Sequence, residues 1–460
     1  MESSIPKPAD KQNSTTVAEL RRAIGPKLLL FLVIGDMLGT GIYALTGDVA
    51  GVIGGAAWLG FGLAFVVAMF TATSYLELVG KYPRAAGAAL YTQRAFRSDF
   101  LTFLVAFAVM CSGLTSVAAA SRTFAGYSAE FLPLPALVVA LAFVLLLAAI
   151  NFRGVAESVK INVVLTCIEF SGLLIVIIIG AVALSNGIGN PGNAFNFNEG
   201  GEPLALVING ATLAFFAIIG FEDSINMVEE TVDPRRTFPR AFFIGITITG
   251  IVYMLVAFVT TALVPIDILA ASNQDLLEVV RIGAPWFPFV LFSLIAMCAV
   301  ANTSLINLMM ASRLLYGMAR EQVLPATLGT VHAKYHTPWV AIIFSTILAI
   351  GLACWGGVRM LGGTTALLLL CVFTIVNIAV LVLRLRPVGH DHFRAPTLCP
   401  ILGIFSCAYL ASPWSGRDTA QYRVAGVLLL VGLVLYAVNW AVHGRRAGPL
   451  NAEHLVKGGE

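Results

Sequence analysis

Apolar stretches of roughly twenty residues recur along the chain, parted by short polar segments, and each is long enough to cross a bilayer as a helix. The pattern predicts twelve spans, near residues 28–49, 54–79, 88–118, 134–151, 156–184, 204–228, 238–264, 286–318, 338–356, 360–384, 397–412 and 422–443. Two of them are broken. The first is interrupted by Gly39-Thr40-Gly41, and the sixth at Gly220, just before Phe221-Glu222-Asp223. In lipid, unwound backbone is tolerated only where it lines a protein-enclosed cavity.

A broken span at the same place in each half of a chain marks the midplane binding site of an inverted-repeat transporter. The spacing here fits five spans plus five, with two left over. The expected division is a tail at 1–26, a first repeat at 27–203, a second at 204–386, two further spans in 387–443 and a tail at 444–460.

Composition sharpens this reading. The chain is 58% hydrophobic and 12% charged, with a mean hydropathy of +0.88. A soluble domain of 460 residues cannot hide that much apolar surface, so an all-α polytopic membrane protein with lipid around it is expected. The net charge of +3 comes with no basic stripe, which argues against nucleic acid as a partner. The cations are distributed by loop instead. With the N-terminus inside, the outer loops and span ends hold only Arg122, Arg281, Arg359, Arg417 and Arg423 of 28 Lys and Arg. Residues 185–203 hold none. This asymmetry predicts an even number of spans in the cell membrane, with both termini cytoplasmic.

The first 20 residues are polar, with Lys7, Asp10 and Lys11. No cleavable signal peptide is evident there, and the first span is expected to direct insertion. Seven cysteines, at 111, 167, 298, 354, 371, 399 and 407, form no CxxC pair. They read as small apolar packing residues.

The candidate chemistry lies at the breaks. Amides freed at Gly39, Thr40 and Gly41, at the positive end of a half-helix, suit a carboxylate; the same small residues also suit a close helix crossing. Gly39 to Ala44 matches GxGxxA, but that fingerprint needs a preceding strand and a soluble sheet. Asp36, in an apolar half-helix, must be paired, protonated or wet. It is a candidate for a substrate cation or a proton, or else for pairing within the bundle. Glu222 and Asp223 follow the second break. Neighbours on a regular helix diverge by about 100°, so the two need not face one cavity. Glu222 is the stronger functional candidate, with Asp223 as a cap for the next half-helix. Glu169, inside the fifth span, is a candidate proton site or a pinned structural residue.

Other groups read more plainly. Glu229, Glu230, Asp233, Arg235, Arg236 and Arg240 form a solvated connector. Asn302, Thr303, Ser304 and Asn307 line an ion path or bond between helices. His332 and His336 lack a third ligand, so no metal is expected. No HExxH, GxSxG or Walker sequence is present, and neither an enzyme nor a cofactor is expected.

Several stretches together resemble the amino acid–polyamine–organocation (APC) superfamily, and most of all its cationic amino acid transporter branch and bacterial relatives. They are Gly-Thr-Gly-Ile-Tyr-Ala-Leu-Thr-Gly-Asp-Val-Ala at 39–50 and Tyr-Pro-Arg-Ala-Ala-Gly-Ala-Ala-Leu-Tyr at 82–91. Asn151-Phe152-Arg153-Gly154-Val155 with Glu157-Ser158 is a third, and Phe-Phe-Ala-Ile-Ile-Gly-Phe-Glu-Asp at 215–223 with Asp233-Pro234-Arg235-Arg236 a fourth. Arg313-Leu-Leu-Tyr-Gly-Met-Ala-Arg320 completes the set.

The resemblance implies a LeuT-like fold and an amino acid substrate. The amides of Thr40 and Gly41 would hold the substrate carboxylate. Carbonyls near Met37, Phe216 and Ile219 would hold its amine, Phe216 would gate, and Glu222 would stand where cationic carriers often have Asp. The implied substrate-binding set is Asp36, Met37, Gly39, Thr40, Gly41, Phe216, Ile219, Gly220 and Glu222. Sodium-independent relatives often carry a Lys where this chain has Glu169, which makes a titrating carboxyl the substitute. The coupling set is therefore Glu169, Glu222 and Asp223, for a proton or in its place sodium. Animal members of the branch have two more spans than this chain. The expectation is an alternating-access permease leaning towards cationic amino acids. Its rivals are a polyamine or neutral amino acid carrier or exchanger and, from other classes, a sensor or a channel.

Overall fold

The computed structural model describes residues 24–84, 87–154 and 159–443. The two tails, Val155 and the Glu157-Ser158 pair lie outside the described residues. Among the described residues every named element is helical, and only two isolated bridges, Ile24 with Thr231 and Gly54 with Phe197, pair backbone in the β manner.

The helices are α1 (Pro26–Met37), α2 (Thr40–Ile53), α3 (Ala57–Lys81), α4 (Gly87–Phe96), α5 (Asp99–Ser128), α6 (Ala136–Phe152), α7 (Val159–Ser185) and α8 (Pro203–Ile218). They continue as α9 (Pro234–Leu263), α10 (Ile266–Ala271), α11 (Asp275–Gly283), α12 (Phe289–Arg320), α13 (Trp339–Trp355), α14 (Val358–Arg384), α15 (Leu398–Ala411) and α16 (Thr419–His443). Among the described residues, eight helices are long and apolar enough to cross a membrane, and the pair α1–α2, bent by 42° at its break, makes a ninth. Three shorter apolar helices, α6, α13 and α15, lie among them.

Two predicted spans differ in detail. The third was expected from residue 88, but the chain turns at Arg97, whose φ is 51°. Ser98 then caps a fresh helix by accepting from the Leu101 amide at 3.3 Å. Residues Gly87–Phe96 therefore form a separate short helix. The sixth does not run as one α-helix to residue 228. α8 stops at Ile218, Gly220 takes a φ of 116°, and Asp223–Glu230 form a 3-10 helix.

Side-chain contacts define the two ends of the bundle. At the basic end the Arg384 guanidinium grips Glu77 through Nε–Oε1 at 2.8 Å and Nη2–Oε2 at 2.6 Å. Glu77 is only 2% exposed and also accepts from the Ala395 amide at 2.9 Å. A planar fork on a carboxylate is the geometry in which a largely buried ion pair is well satisfied. It ties α3 to α14, beside Lys81 Nζ, which donates to the Leu383 carbonyl. The charged connector after the sixth span begins α9 at Pro234, with Asp233 and Arg236 in an exposed 3.9 Å ion pair. At the opposite end the α10–α11 hairpin lies over α2 and α5. Gln274 Nε2 donates to the Gly126 carbonyl at 2.5 Å, and Arg281 bridges Glu278, at 2.9 Å, and Glu130.

Between these ends the bundle is closed by small residues and polar pairs, since lipid gives apolar helices no reason to prefer each other. Ser74 Oγ donates to Asn377 Oδ1 at 2.6 Å, and Asn377 Nδ2 donates to Thr71 Oγ1 at 3.0 Å, joining α3 and α14. Thr115 and Thr365 hydroxyls meet at 2.7 Å between α5 and α14.

Candidate functional site

The two breaks meet in the middle of the bundle. α1 ends at Met37 and α2 starts at Thr40, with Gly39 in extended backbone and no side chain capping the new helix. The first amides of α2 therefore have neither an intrahelical acceptor nor a capping side chain. Gly41 lies against the α8 backbone, and a β-carbon there would overlap Ala217 Cα. Gly220 lies as close to the Asp36 carbonyl.

A cavity forms where these segments part. Asp36, Met37, Gly39, Thr40, Gly41, Phe216, Ile219, Gly220 and Glu222 all line it, as does Asp223. The remaining wall comes from α5, α12 and α14: Val109, Ser112, Gly113 and Ser116, then Thr303, Asn307, Met310, Ala311 and Leu314, then Thr365 and Leu369. Val109 and Leu314 carry the lining towards the basic end.

Glu222 and Asp223 both line the cavity, just beyond the break at Gly220. Glu222 Oε2 accepts from the Gly220 amide at 2.9 Å. The capping contact at the break is thus made by Glu222, and no side chain caps the 3-10 helix that follows.

The free carbonyls differ from one another. Met37 O accepts the Tyr253 hydroxyl at 2.6 Å. Thr40 Oγ1 is buried without a hydrogen-bond partner among the described residues. Phe216, which lines the cavity, lies with Leu45 against Gly362 of α14.

Glu169 stands apart. It does not line the cavity; it lies behind the first break, on α7. It is fully buried, and neither carboxyl oxygen has a hydrogen-bond partner among the described residues. Its backbone carbonyl accepts the Tyr43 hydroxyl at 3.1 Å, and the Asp36 carboxyl of α1 is a neighbour. A buried carboxyl without a partner is costly to ionise.

Ser112, Gly113, Ser116, Thr365 and Leu369 were not singled out from the sequence. A Ser or Gly in an apolar helix carries no local mark of the cavity it faces. Only the Ser112–Ser116 spacing, one helical turn apart, hints at a polar stripe. Asn302, expected with the ion-path residues, is buried outside the lining, its Nδ2 without a hydrogen-bond partner among the described residues. No group of three metal-binding side chains occurs among the described residues.

A helical bundle of membrane-spanning length, with a polar cavity where two helices break, defines a membrane transporter. Residues 24–435 match the amino acid permease family, and the chain belongs to that family. The branched-chain amino acid permease BcaP of Bacillus subtilis is 26% identical over 455 residues, covering 93% of this chain and 94% of the relative. The methylthioribose transporter of the same organism is 26% identical, covering 92% and 93%. Human cationic amino acid transporter 4 is 27% identical over 400 residues, 82% of this chain and 62% of that one. The family and these relatives are transporters and not enzymes, and the resemblance to the APC superfamily holds.

Proposed function

We propose that the chain is a secondary amino acid carrier working by alternating access, with the cavity between the two breaks as its substrate site. The supporting observation is that all nine residues of the implied substrate set face one cavity. The amides at the start of α2 receive the substrate carboxylate through the helix dipole and their unused N–H groups. The carbonyls around Ile219 and Asp36 receive the amine. Met37 O, already engaged by Tyr253, has one lone pair left for it.

In this reading the fold is LeuT-like. The nine long or broken spans and three shorter helices make twelve, arranged as two inverted repeats at 27–203 and 204–386 plus two more helices, with both termini on the cytoplasmic side of the cell membrane. Asp36, Glu222 and Asp223 make the cavity electronegative and favour a basic side chain, such as that of arginine, lysine or ornithine. A neutral substrate is the second reading. Val109, Met310, Leu314 and Leu369 give one wall an apolar character, and BcaP is named for branched-chain amino acids.

Coupling is assigned to a proton on Glu169, with Glu222 and Asp223 as the groups that sense the substrate. A carboxyl that lies behind a moving half-helix, with nothing to pair with, holds its proton while that half-helix is docked. It releases it when water arrives.

Uptake of labelled arginine into proteoliposomes tests this, with and without an inward proton gradient and with leucine, glutamate and putrescine as competitors. Gradient-stimulated arginine uptake blocked by lysine is the expected result. Uptake of a neutral amino acid alone would move the acidic residues to the proton. Downhill flux that neither saturates nor shows counterflow would mean a channel and overturn the reading.

A further inference from the structure

At the end of the bundle opposite the basic one, α2 exchanges hydrogen bonds with two other elements. In a regular helix the Gly47 amide donates to the Tyr43 carbonyl. Here the Gly47 N–H donates to Asp275 Oδ2 at 2.6 Å. The Tyr43 carbonyl accepts the Tyr127 hydroxyl at 3.1 Å. Asp275 opens α11, and Tyr127 lies in the last turn of α5, so two side chains from different elements engage one turn of the half-helix.

The contact is built to be tight. Asp275 is 3% exposed, and Tyr127, Leu276 and Leu277 are fully buried around it. A β-carbon at Gly47 would overlap the Leu269 carbonyl and lie 2.8 Å from Asp275 Oδ1. Only glycine lets the α10–α11 hairpin come this close. The hairpin is then strapped to α5 through Gln274 and Arg281. The same half-helix offers Thr40 and Gly41 to the cavity at its other end. Whatever holds Gly47 therefore sets where those amides point.

We propose that Asp275 is a positioning residue of the transport cycle. It clamps the α10–α11 hairpin onto α2 while the cavity is closed at this end, and the end opens only when the Asp275–Gly47 hydrogen bond is released. This rests on the alternating-access reading of the cavity. The clamp explains three facts together: a carboxyl buried without a cationic partner on its own oxygens among the described residues, a backbone amide in mid-helix donating to a side chain, and a glycine where the Leu269 carbonyl and Asp275 press against α2. The Asp275 oxygen can accept from the Gly47 amide with or without a proton on the carboxyl, and it is a single contact that a cycle can make and break.

The test is hydrogen exchange on the full-length protein in lipid nanodiscs without substrate, read on peptides covering 40–53 and 266–283. The variants are Asp275→Ala, Asp275→Asn, Gly47→Ala and the milder Tyr127→Phe. Asp275→Ala and Gly47→Ala are expected to speed exchange in both segments by about tenfold, while 358–384 stays protected. Tyr127→Phe should do so less. Asp275→Asn should keep most of the protection, because its amide oxygen still accepts from Gly47.

In proteoliposomes Asp275→Ala should lower the apparent KM from the hairpin side and lower the maximal rate, as that end rests open and returns slowly. Unchanged exchange in Asp275→Ala would overturn the clamp, and so would an Asp275→Asn protein that exchanges as fast as the Ala variant. A wild-type protein that moves no amino acid would overturn the carrier reading alone. The exchange result would still decide the clamp.

Discussion

Gly220 sits so close to Asp36 that a β-carbon on the one would overlap the backbone carbonyl of the other. Each residue belongs to a broken helix, and the contact makes the two breaks one structural unit. Gly220 also has a φ of 116°, a conformation that costs a residue with a side chain about 1–2 kcal/mol. Strain and overlap act together at this one position, as the cavity floor requires.

Gly220→Ala and Gly41→Val are expected to remove substrate binding, each by pushing the half-helices apart. The check is the rise in melting temperature that saturating substrate gives the purified protein. Wild type should show it and both variants should not. Retained substrate stabilisation in Gly41→Val would end the assignment of the α2 amides.

Glu169→Gln should uncouple transport from the proton gradient while leaving exchange across the membrane largely intact, because Glu169 does not line the cavity. Accumulation against a gradient should fall to equilibration, and counterflow should stay within about twofold of wild type. If the pH dependence of net uptake is unchanged, another group carries the proton.

Glu222→Gln removes a negative charge from the cavity wall but keeps an acceptor for the Gly220 amide. Apparent affinity for a basic substrate should weaken roughly tenfold, or about 1.4 kcal/mol, with little change for a neutral one. Equal losses for both would mean that Glu222 serves the break and not the substrate.

The clamp at Asp275 predicts a pH dependence with a definite sign. Burial pushes its carboxyl well above the usual carboxylate range; the Gly47 amide works against this, and nearby Asp48 and Glu278 add to it. Tyr127 of α5 also faces the group, and Arg281 is taken up by Glu278 and Glu130. Because the docked value is raised, docking is favoured most at pH below the free carboxyl's value. That contribution is lost as pH rises through the docked value. Protection of residues 40–53, corrected for intrinsic exchange, should therefore fall with rising pH in wild type and stay level in Asp275→Asn.

Arg417 lies in the connector before α16, 6% exposed. It donates to the carbonyls of Leu410 at 2.6 Å, Gly363 at 2.9 Å and Thr212 at 3.3 Å, and to Gln421 Oε1 at 2.8 Å. Burial pulls its guanidinium down to about 10, so it stays charged at neutral pH. It joins α8, α14 and α15 near the cavity's far wall. Arg417→Ala should lower stability by about 3 kcal/mol, seen as a lower melting temperature in detergent. An unchanged melt would mean those carbonyls find other donors.

Much of this was legible in the chain. A bilayer demands apolar runs of fixed length, so hydropathy alone announced an all-helical membrane protein, and the long spans fell within a few residues of their predicted places. The exceptions were the sixth, whose α-helix stops at Ile218, and the third, where Arg97 turns the chain and Ser98 caps anew. Those are features of one dihedral and one side chain, which hydropathy averages away. The breaks were legible for the same reason as the spans. Gly39, Gly41 and Gly220 stand out in sequences otherwise apolar, and the carboxylates beside them are too costly in lipid to be incidental.

What the sequence determined by itself was the class of the protein and the two segments that meet. The fold decided the partners of those segments. Ser116, Asn307 and Thr365 come to one cavity from three helices, and nothing local to any of them records the other two. Glu222 and Asp223 both reach the cavity beyond the break at Gly220. Packing of α7 behind α1 left Glu169 buried but outside the cavity, and Asp275 found Gly47 across 228 residues. Hydropathy and backbone breaks are properties of neighbours along the chain. Which faces touch depends on where small residues let distant helices approach, and that exists only once the bundle has closed.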